Sequence, residues 1–154
     1  MRQNPDESLL LKNQLCFPLY AAARKITGAY TPWLRPLGLT YTQYLVLLVL
    51  WETDGVSMGE LGERLLLDSG TLTPLLKRME IAGILTRSRS GEDERRVLVS
   101  LTDRGRRLRE QAREIPPRAA GCVKLSPEEG AELYRLLYRL LKADEATPEQ
   151  PPAQ

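Results

Sequence analysis

The chain has no histidine among its 154 residues. Catalysis by a Ser-His or Cys-His pair is therefore excluded, because both pairs need an imidazole as the general base. A zinc site is disfavoured as well, since two cysteines would need carboxylates to complete the usual set of four ligands. The sequence consequently predicts no metal ion, no cofactor and no histidine-based active site.

The sequence also lacks a long apolar run and a signal peptide. Its longest apolar stretch, residues 45–51, is far shorter than the ~18 residues that a membrane-spanning helix needs. The first residues, MRQNPDESLLLKN, are polar and acidic where a secretory signal would be basic and then apolar. We therefore expect a cytoplasmic protein that has no membrane partner.

Cysteine is scarce. Cys16 and Cys122 lie 106 positions apart and form no CxxC motif. In a reducing compartment such cysteines usually remain free thiols. A lone cysteine on a helix is more often a small buried apolar group than a reactive one, so the residues alone leave both roles open.

Positive charge is concentrated in one part of the chain. Residues 64–109 hold eleven Lys and Arg against six Asp and Glu, a net charge of +5, whereas the remainder holds eleven against fourteen, a net charge of −3. Clustering of this kind is typical of proteins that bind DNA, because each neutralised phosphate releases counterions. An ordinary solvated surface gives the same charge pattern, so a DNA-binding function needs support from the predicted fold.

The basic segment opens with two short helical patterns. Ser57-Met58-Gly59-Glu60 has the form of a capping box, which predicts a helix with Leu61 and Leu65 on its buried face. Asp68-Ser69-Gly70 then supplies a turn and a new helix cap. The apolar stripe of the second helix consists of Leu72, Leu75, Leu76 and Met79.

The opposite side of this second helix carries the candidate DNA-contacting side chains. They are Ser69, Thr71, Thr73, Lys77 and Arg78. Pro74 removes a backbone hydrogen bond if it lies beyond the first turn. Either the helix begins nearer Gly70 or its first turn is distorted.

Two strand patterns follow, at residues 84–90 and 95–101, joined by the charged tip Gly91-Glu92-Asp93-Glu94. Two helices followed by a β-hairpin make a winged helix-turn-helix, whose second helix enters a major groove while the wing reaches the neighbouring minor groove. The predicted fold is thus mainly α with a small β-hairpin wing. The predicted partner is double-stranded DNA.

Helical patterns precede this unit. A helix is predicted from Ser8 to about Thr27, bent at Pro18 and ended by Gly28, and an aromatic-rich connector follows at residues 29–39. Thr40-Tyr41-Thr42-Gln43 is a capping box that opens a buried helix.

Helical patterns also follow the wing. Thr102 is predicted to cap a helix that breaks near Ile115, because Pro116-Pro117 interrupts its pattern. Ser126-Pro127-Glu128-Glu129 is a third capping box and opens the last helix. The arginines of the helix that Thr102 caps are able to add phosphate contacts; they are Arg104, Arg106, Arg107 and Arg109.

Apolar stripes on the terminal helices exceed what one small DNA-reading unit can cover. We therefore expect a homodimer in which residues 8–39 and 106–143 supply the dimerisation helices and connector, while residues 40–105 form the DNA-binding region of the same domain. A two-fold axis would place paired recognition helices about 34 Å apart, matching an inverted-repeat operator. The alternative is that both helices fold back onto their own core. Residues 1–7 and 144–154 are predicted to be disordered.

The wing and the junction after it resemble the MarR family of bacterial transcriptional regulators. The resemblance lies in Asp93-Glu94-Arg95 and in the following residues RVLVSLTDRG, numbers 96–105, and it extends over roughly residues 8–143. It implies that Arg95 enters the minor groove and that Asp93 helps to hold it.

Other segments are similar to the organic-hydroperoxide sensing branch of that family, the OhrR-type repressors. They are LCFPLYAA at 15–22, Tyr30, LTYTQY at 39–44 and DSGTLTPLLK at 68–77. The resemblance implies that Cys16 is a peroxide-reactive thiol and that Tyr30 and Tyr41 form hydrogen bonds to it. Tyr20 lies one helical turn after Cys16 on the same face and is a further candidate to support the thiolate.

The two-cysteine subclass of these repressors has a second reactive cysteine, and Cys122 matches its position. The resemblance implies that peroxide oxidises Cys16, that a disulfide forms between Cys16 and Cys122 of the partner subunit, and that the wings then shift and release DNA. Two alternatives remain. A small aromatic ligand held near Tyr30, Trp33 and Tyr41 would make both cysteines bystanders, and a thiol peroxidase would use both cysteines in turnover.

Overall fold

The computed structural model describes residues 7–91, 93, 95–122 and 124–142. Of the disordered N-terminus predicted for residues 1–7 only Glu7 is described. The predicted tail at 144–154, together with Glu92 and Glu94 of the wing tip, lies outside the described residues. The described chain forms two compact units, one that ends at Cys122 and one that contains the last helix.

The first unit contains seven α-helices and three strands in its described residues. In chain order they are α1 (Cys16–Ala29), α2 (Thr31–Leu34), α3 (Tyr41–Glu52), β1 (Val56–Ser57), α4 (Met58–Leu65), α5 (Ser69–Ile81), β2 (Leu85–Arg89), β3 (Val97–Leu101), α6 (Asp103–Ala112) and α7 (Ile115–Ala120). Three-residue 3-10 turns lie at Glu7–Leu9, Leu11–Asn13 and Arg35–Leu37. The second unit contains α8 (Pro127–Lys142). No helix in these described ranges is long and apolar enough to cross a membrane.

The core of the first unit forms around α3 and α5. Thr40 and Gln43 make the predicted capping box at the start of α3, and Val46, Leu47 and Leu50 of that helix are fully buried. The predicted apolar stripe of α5 is also confirmed: Leu72, Leu75, Leu76 and Met79 are all buried. These helices therefore hold the outer face of α5 in a fixed orientation.

The prediction for the N-terminal helix was wrong at both ends. The helix α1 begins at Cys16 rather than Ser8, and Gly28 lies inside it. Pro18 explains the late start, because a proline is tolerated in the first turn, where backbone N–H groups have no intrahelical partner, but not in the helix interior. The first helical residue is consequently the cysteine itself.

The wing is a three-stranded antiparallel sheet with the order β1-β3-β2. Its main hairpin pairs Leu85 with Leu101 and Arg89 with Val97. The third strand, β1, was missed, since a two-residue strand leaves no alternating pattern in a sequence. Within it, Ser57 pairs with Leu98 of β3, and its hydroxyl also accepts a hydrogen bond from the Glu60 N–H at 3.2 Å.

The structure also shows which elements form the predicted connector and the predicted break at the two prolines. The predicted connector at residues 29–39 contains α2 and a 3-10 turn. The predicted break near Ile115 is confirmed, because α6 ends at Ala112 and α7 begins at Ile115 with both prolines in its first turn. The predicted caps at Thr102 and Ser126 are present too.

Candidate nucleic-acid interface and thiol site

The N-terminus of α5 is fixed by Asp68. Its carboxylate accepts hydrogen bonds from the Thr71 N–H at 2.8 Å and from the Thr71 hydroxyl at 2.9 Å. These bonds, led by the one from the Thr71 amide, hold the pKa of Asp68 below its usual value. The Thr71 hydroxyl proton therefore belongs to the cap, and only its oxygen lone pairs remain for a base edge.

The remaining polar candidates lie on the outer surface of α5. Ser69, Thr73 and Lys77 follow one another at intervals of four residues, and Arg78 flanks them; all four are exposed. The helix begins at Ser69, next to Gly70, which agrees with the first of the two alternatives; Pro74 is nevertheless its sixth residue and lies beyond the first turn. Having no N–H, it leaves the Gly70 carbonyl on this surface without the usual helical donor.

The wing tip is shaped by Asp93. Its carboxylate accepts a hydrogen bond from the Arg95 N–H at 3.0 Å, and its carbonyl accepts one from the Arg96 N–H at 2.9 Å. The Ser90 N–H donates to the Arg96 carbonyl at 2.8 Å, which closes the hairpin below the tip. Asp93 thus orders the backbone that carries the exposed Arg95 side chain.

An ion pair joins the wing to α5. Arg87 of β2 donates to both carboxylate oxygens of Glu80, from its backbone N–H to Oε1 at 3.1 Å and from its guanidinium to Oε2 at 2.7 and 3.1 Å. The Arg87 side chain beside Glu80 holds the pKa of that carboxyl below its usual value. This contact fixes β2 against the last turn of the helix.

The arginines of α6 divide into two pairs. The Arg104 guanidinium donates to the Ala82 carbonyl at 2.6 Å, and Arg106 forms an ion pair with Asp54. All four side chains are exposed. Two of the four arginines that could add phosphate contacts, Arg104 and Arg106, are thus also bonded to the protein.

Cys16 and Tyr20 are exposed near the start of α1. The Tyr20 hydroxyl accepts from the Arg24 guanidinium at 3.3 Å, and that guanidinium carbon lies 5.5 Å from the centre of the Tyr20 ring. In the described part of the chain no hydrogen bond joins Cys16 to Tyr30 or Tyr41. The described chain thus leaves Cys16 exposed and its two expected donors half-buried, and it does not bond them to each other.

The two expected tyrosines are nevertheless brought together. The rings of Tyr30 and Tyr41 meet edge to face with centroids 5.0 Å apart. Tyr44, which was not among the predicted site residues, extends this row, with its ring centroid 6.1 Å from that of Tyr30 and 6.2 Å from that of Trp51. Its position three residues after Tyr41 in a helix was the signal that could have found it.

The phenols of Tyr41 and Tyr44 stay protonated at neutral pH. Burial first, and then the neighbouring Tyr30, raise the pKa of Tyr41 and of Tyr44 above the usual value. A neutral phenol is a hydrogen-bond donor, which is the form that would stabilise a thiolate.

A groove of about 360 Å³ beside the row is lined by Tyr41 but by neither Tyr30 nor Trp33. The three residues expected to surround an aromatic ligand do not line it together.

Cys122 lies just after α7 and is exposed. Its Sγ is 4.0 Å from the Arg118 carbonyl oxygen, a weak contact that leaves the sulfur accessible. Neither cysteine is in a disulfide within the chain.

Comparison with known proteins identifies relatives of this arrangement. The family model described as transcriptional regulator SarA/Rot matches residues 29–112, more than half of the chain. The organic hydroperoxide resistance transcriptional regulator of Bacillus subtilis is 51% identical over 140 residues, which cover 91% of this chain and 95% of that protein.

Solved structures of AbfR, a protein of Staphylococcus epidermidis, are also similar. The reduced and the overoxidised forms, both bound to DNA, each match with a TM-score of 0.72 at 36% identity; they cover 90% and 91% of this chain and 96% and 98% of AbfR. The disulfide form matches with a TM-score of 0.61 at 38% identity, over 88% of this chain and 96% of AbfR.

Proposed function

Because the chain belongs to the MarR/SarA family of winged helix-turn-helix transcriptional regulators, we propose that it is a repressor that releases its operator when an organic hydroperoxide oxidises Cys16. The observation that carries the proposal is the identity of 51% with a regulator named for organic hydroperoxide resistance. That family consists of transcription regulators and not of enzymes, which argues against the thiol-peroxidase alternative.

We propose that the repressor is a homodimer. Leu11, Leu15 and Phe17 before and within the start of α1 are exposed in a single chain, and the described leucines of α8 are between 37% and 53% exposed. Apolar side chains in continuous stripes are normally covered, and a second copy of the chain would cover them. In such a dimer each α5 would enter a major groove of an inverted-repeat operator, and each Arg95 would enter the neighbouring minor groove.

The proposed sensing step is a nucleophilic substitution. The Cys16 thiolate attacks the terminal oxygen of the hydroperoxide, an S–O bond forms as the O–O bond breaks, and the leaving alkoxide takes a proton to become an alcohol. Cys16 is thereby oxidised to a sulfenic acid and the peroxide is reduced. Tyr30 and Tyr41 make no hydrogen bond to Cys16 in the described chain, so donors from the partner subunit are the simplest way to supply the expected stabilisation of the thiolate.

A second substitution would give the released state. The thiolate of Cys122 of the partner subunit attacks the sulfenic sulfur, an S–S bond forms as the S–O bond breaks, and the leaving hydroxide becomes water on taking a proton. AbfR has been solved with a disulfide, and its overoxidised form has been solved bound to DNA. This pair supports the disulfide, rather than oxidation of the first sulfur, as the event that causes release.

The energy required is small. A ten-fold loss of operator affinity needs only ~1.4 kcal/mol of difference between the two dimer shapes. A disulfide that holds the dimer in one of those shapes is sufficient to produce a free-energy difference of this size.

The test uses an operator selected by the reduced protein from random duplex DNA. Gel shifts with and without cumene hydroperoxide, beside intact-mass measurement of the thiols, are run on the wild type, Cys16→Ser and Cys122→Ser. We expect Cys16→Ser to bind DNA and ignore peroxide. Equal release from Cys16→Ser would refute the sensing role.

The second cysteine has its own readout. We expect Cys122→Ser to give no covalent dimer on a non-reducing gel and to keep DNA after oxidation. A covalent dimer that persists in this variant would remove Cys122 from the scheme while leaving the role of Cys16 intact.

A further inference from the structure

The first turn of α6 is bonded directly to the C-terminal end of α5. The Arg104 guanidinium donates to the Ala82 carbonyl at 2.6 Å, and the Thr102 hydroxyl donates to the Gly83 carbonyl at 2.7 Å. The Thr102 N–H also donates to the Ile84 carbonyl at 3.1 Å. The carbonyl of Ala82, which is the C-cap of α5, and those of the two residues after it thus accept hydrogen bonds from the first turn of α6 and its N-cap, although the whole wing lies between them in the sequence.

The bond to Ala82 supplies a donor to the C-terminal end of α5, where every helix lacks intrahelical donors. The last carbonyls of a helix have no intrahelical donors, and the negative end of the helix dipole lies there. A cation near the C-terminus is favourable, and such a cation commonly comes from the last turn of the helix itself. In α5 the last-turn cation, Arg78, is exposed, and the guanidinium on the terminal carbonyl comes from a different helix.

The same turn of α6 is held from its other side. The Trp51 indole N–H of α3 donates to the Gly105 carbonyl at 3.0 Å, and Arg106 pairs with Asp54. Gly105 packs so closely that a Cβ built on it would lie 2.2 Å from the Ile84 carbonyl oxygen. The segment that leads from α5 into β2 therefore has little room to slide over the start of α6, whereas the bond to the C-cap of α5 itself comes from Arg104.

We propose that Arg104 is a positioning residue of the recognition helix, which couples α5 to α6, and that it is not a phosphate ligand. The regulatory part of this inference rests on the proposed function. Along the chain α6 leads to α7 and Cys122, so a disulfide at Cys122 displaces α6, and Arg104 transmits that displacement to α5. Without the guanidinium, Thr102 and Gly105 still hold the start of the wing to α6, but part of the movement is absorbed between α6 and the C-cap of α5.

The experiment compares Arg104→Ala with two variants that lose the same charge. Arg107→Ala removes an exposed arginine of the same helix, and Arg95→Ala removes the side chain expected in the minor groove. Affinity for the selected operator is measured by fluorescence anisotropy over a range of salt concentrations, before and after cumene hydroperoxide. Hydrogen exchange of the backbone amides at residues 79–84 is measured in the same samples.

We expect Arg104→Ala to keep the salt slope of the wild type, whereas Arg95→Ala lowers it by about 1. The ratio of oxidised to reduced dissociation constants should fall about fivefold or more in Arg104→Ala and stay unchanged in Arg107→Ala. Exchange at residues 79–84 should accelerate in Arg104→Ala alone. Arg104→Lys, which keeps a cationic donor, should restore most of the ratio.

Two results would overturn the inference. A salt slope lowered in Arg104→Ala as much as in Arg95→Ala would make Arg104 a phosphate ligand, and unchanged exchange at residues 79–84 would show that the contact does not hold α5. If the wild type itself failed to respond to peroxide, the proposed function would fail. The salt slope and the exchange rates would still decide the role of Arg104.

Discussion

Replacing Gly105 with alanine tests the close approach between α6 and the start of the wing. A Cβ at this position would lie 2.2 Å from the Ile84 carbonyl oxygen and 3.0 Å from a methyl carbon of Leu101. Carbon and oxygen atoms in close weak contact normally stay about 3.3 Å apart. The two backbones must therefore separate by about 1 Å, although the Thr102 hydroxyl bonds to both of them and Trp51 bonds to the Gly105 carbonyl.

The expected cost combines two opposing effects. Alanine in a helix is favoured over glycine by up to about 1 kcal/mol. Overpacking of a rigid site costs about 1–3 kcal/mol, and more when the obstructing atom belongs to the backbone and cannot rotate away. We therefore expect Gly105→Ala to lower the free energy of unfolding by about 2–3 kcal/mol.

Urea unfolding followed by circular dichroism measures this loss, and the melting temperature should fall by roughly 4–10 °C. Gly59→Ala is the matched control, because a Cβ there meets nothing closer than the Ser57 hydroxyl oxygen at 3.9 Å. It should be neutral or slightly stabilising. A loss below about 0.5 kcal/mol for Gly105→Ala would refute the reasoning, since surface changes without a clash give that much.

Three further predictions concern the core, the wing and the interface. Leu76→Ala should lower the free energy of unfolding by about 2–5 kcal/mol in urea titrations, because Leu76 is fully buried and leaves a cavity; a smaller loss would mean that the core collapses around it. Because Arg87 depresses the pKa of Glu80, this carboxylate stabilises the fold above its usual pKa of about 4.3, and that contribution is lost as the pH falls through the lower folded value. Stability curves from pH 7 to pH 3 should therefore be flatter for Glu80→Gln, and parallel curves would contradict the ion pair's role. Arg95→Ala should weaken operator binding and lower its salt slope by about 1; an unchanged slope would place this side chain away from DNA.

The parts of the fold that repeat a regular pattern could be predicted from the sequence. The stripe of Leu72, Leu75, Leu76 and Met79 predicted α5 because spacings of three and four residues place side chains on one helical face. The caps at Thr40 and Thr102 were found because a cap needs only a few adjacent residues of the right type. These features depend on local chemistry.

Features that depend on distant contacts could not be predicted in the same way. The strand β1 is only two residues long and exists because β3 passes beside it. The bond from Arg104 to the Ala82 carbonyl could not be predicted, since a row of arginines does not reveal which of them faces a carbonyl of another element. Pro18 was expected to bend a helix, whereas it lies in the helix's first turn. For the thiol site, the sequence pointed to Tyr30 and Tyr41 but not to Tyr44. The buried ring of Tyr44 lies between those of Tyr30 and Trp51.

The row of rings that ends at Trp51 gives the protein an internal optical probe. The emission of an indole shifts in wavelength and intensity when its N–H loses a hydrogen-bond acceptor or meets water. The Trp51 N–H donates to the carbonyl of Gly105, in the first turn of α6, directly after the wing. Unlabelled protein can thus report in real time whether this turn moves, and a Trp33→Phe background leaves Trp51 as the single source of that signal.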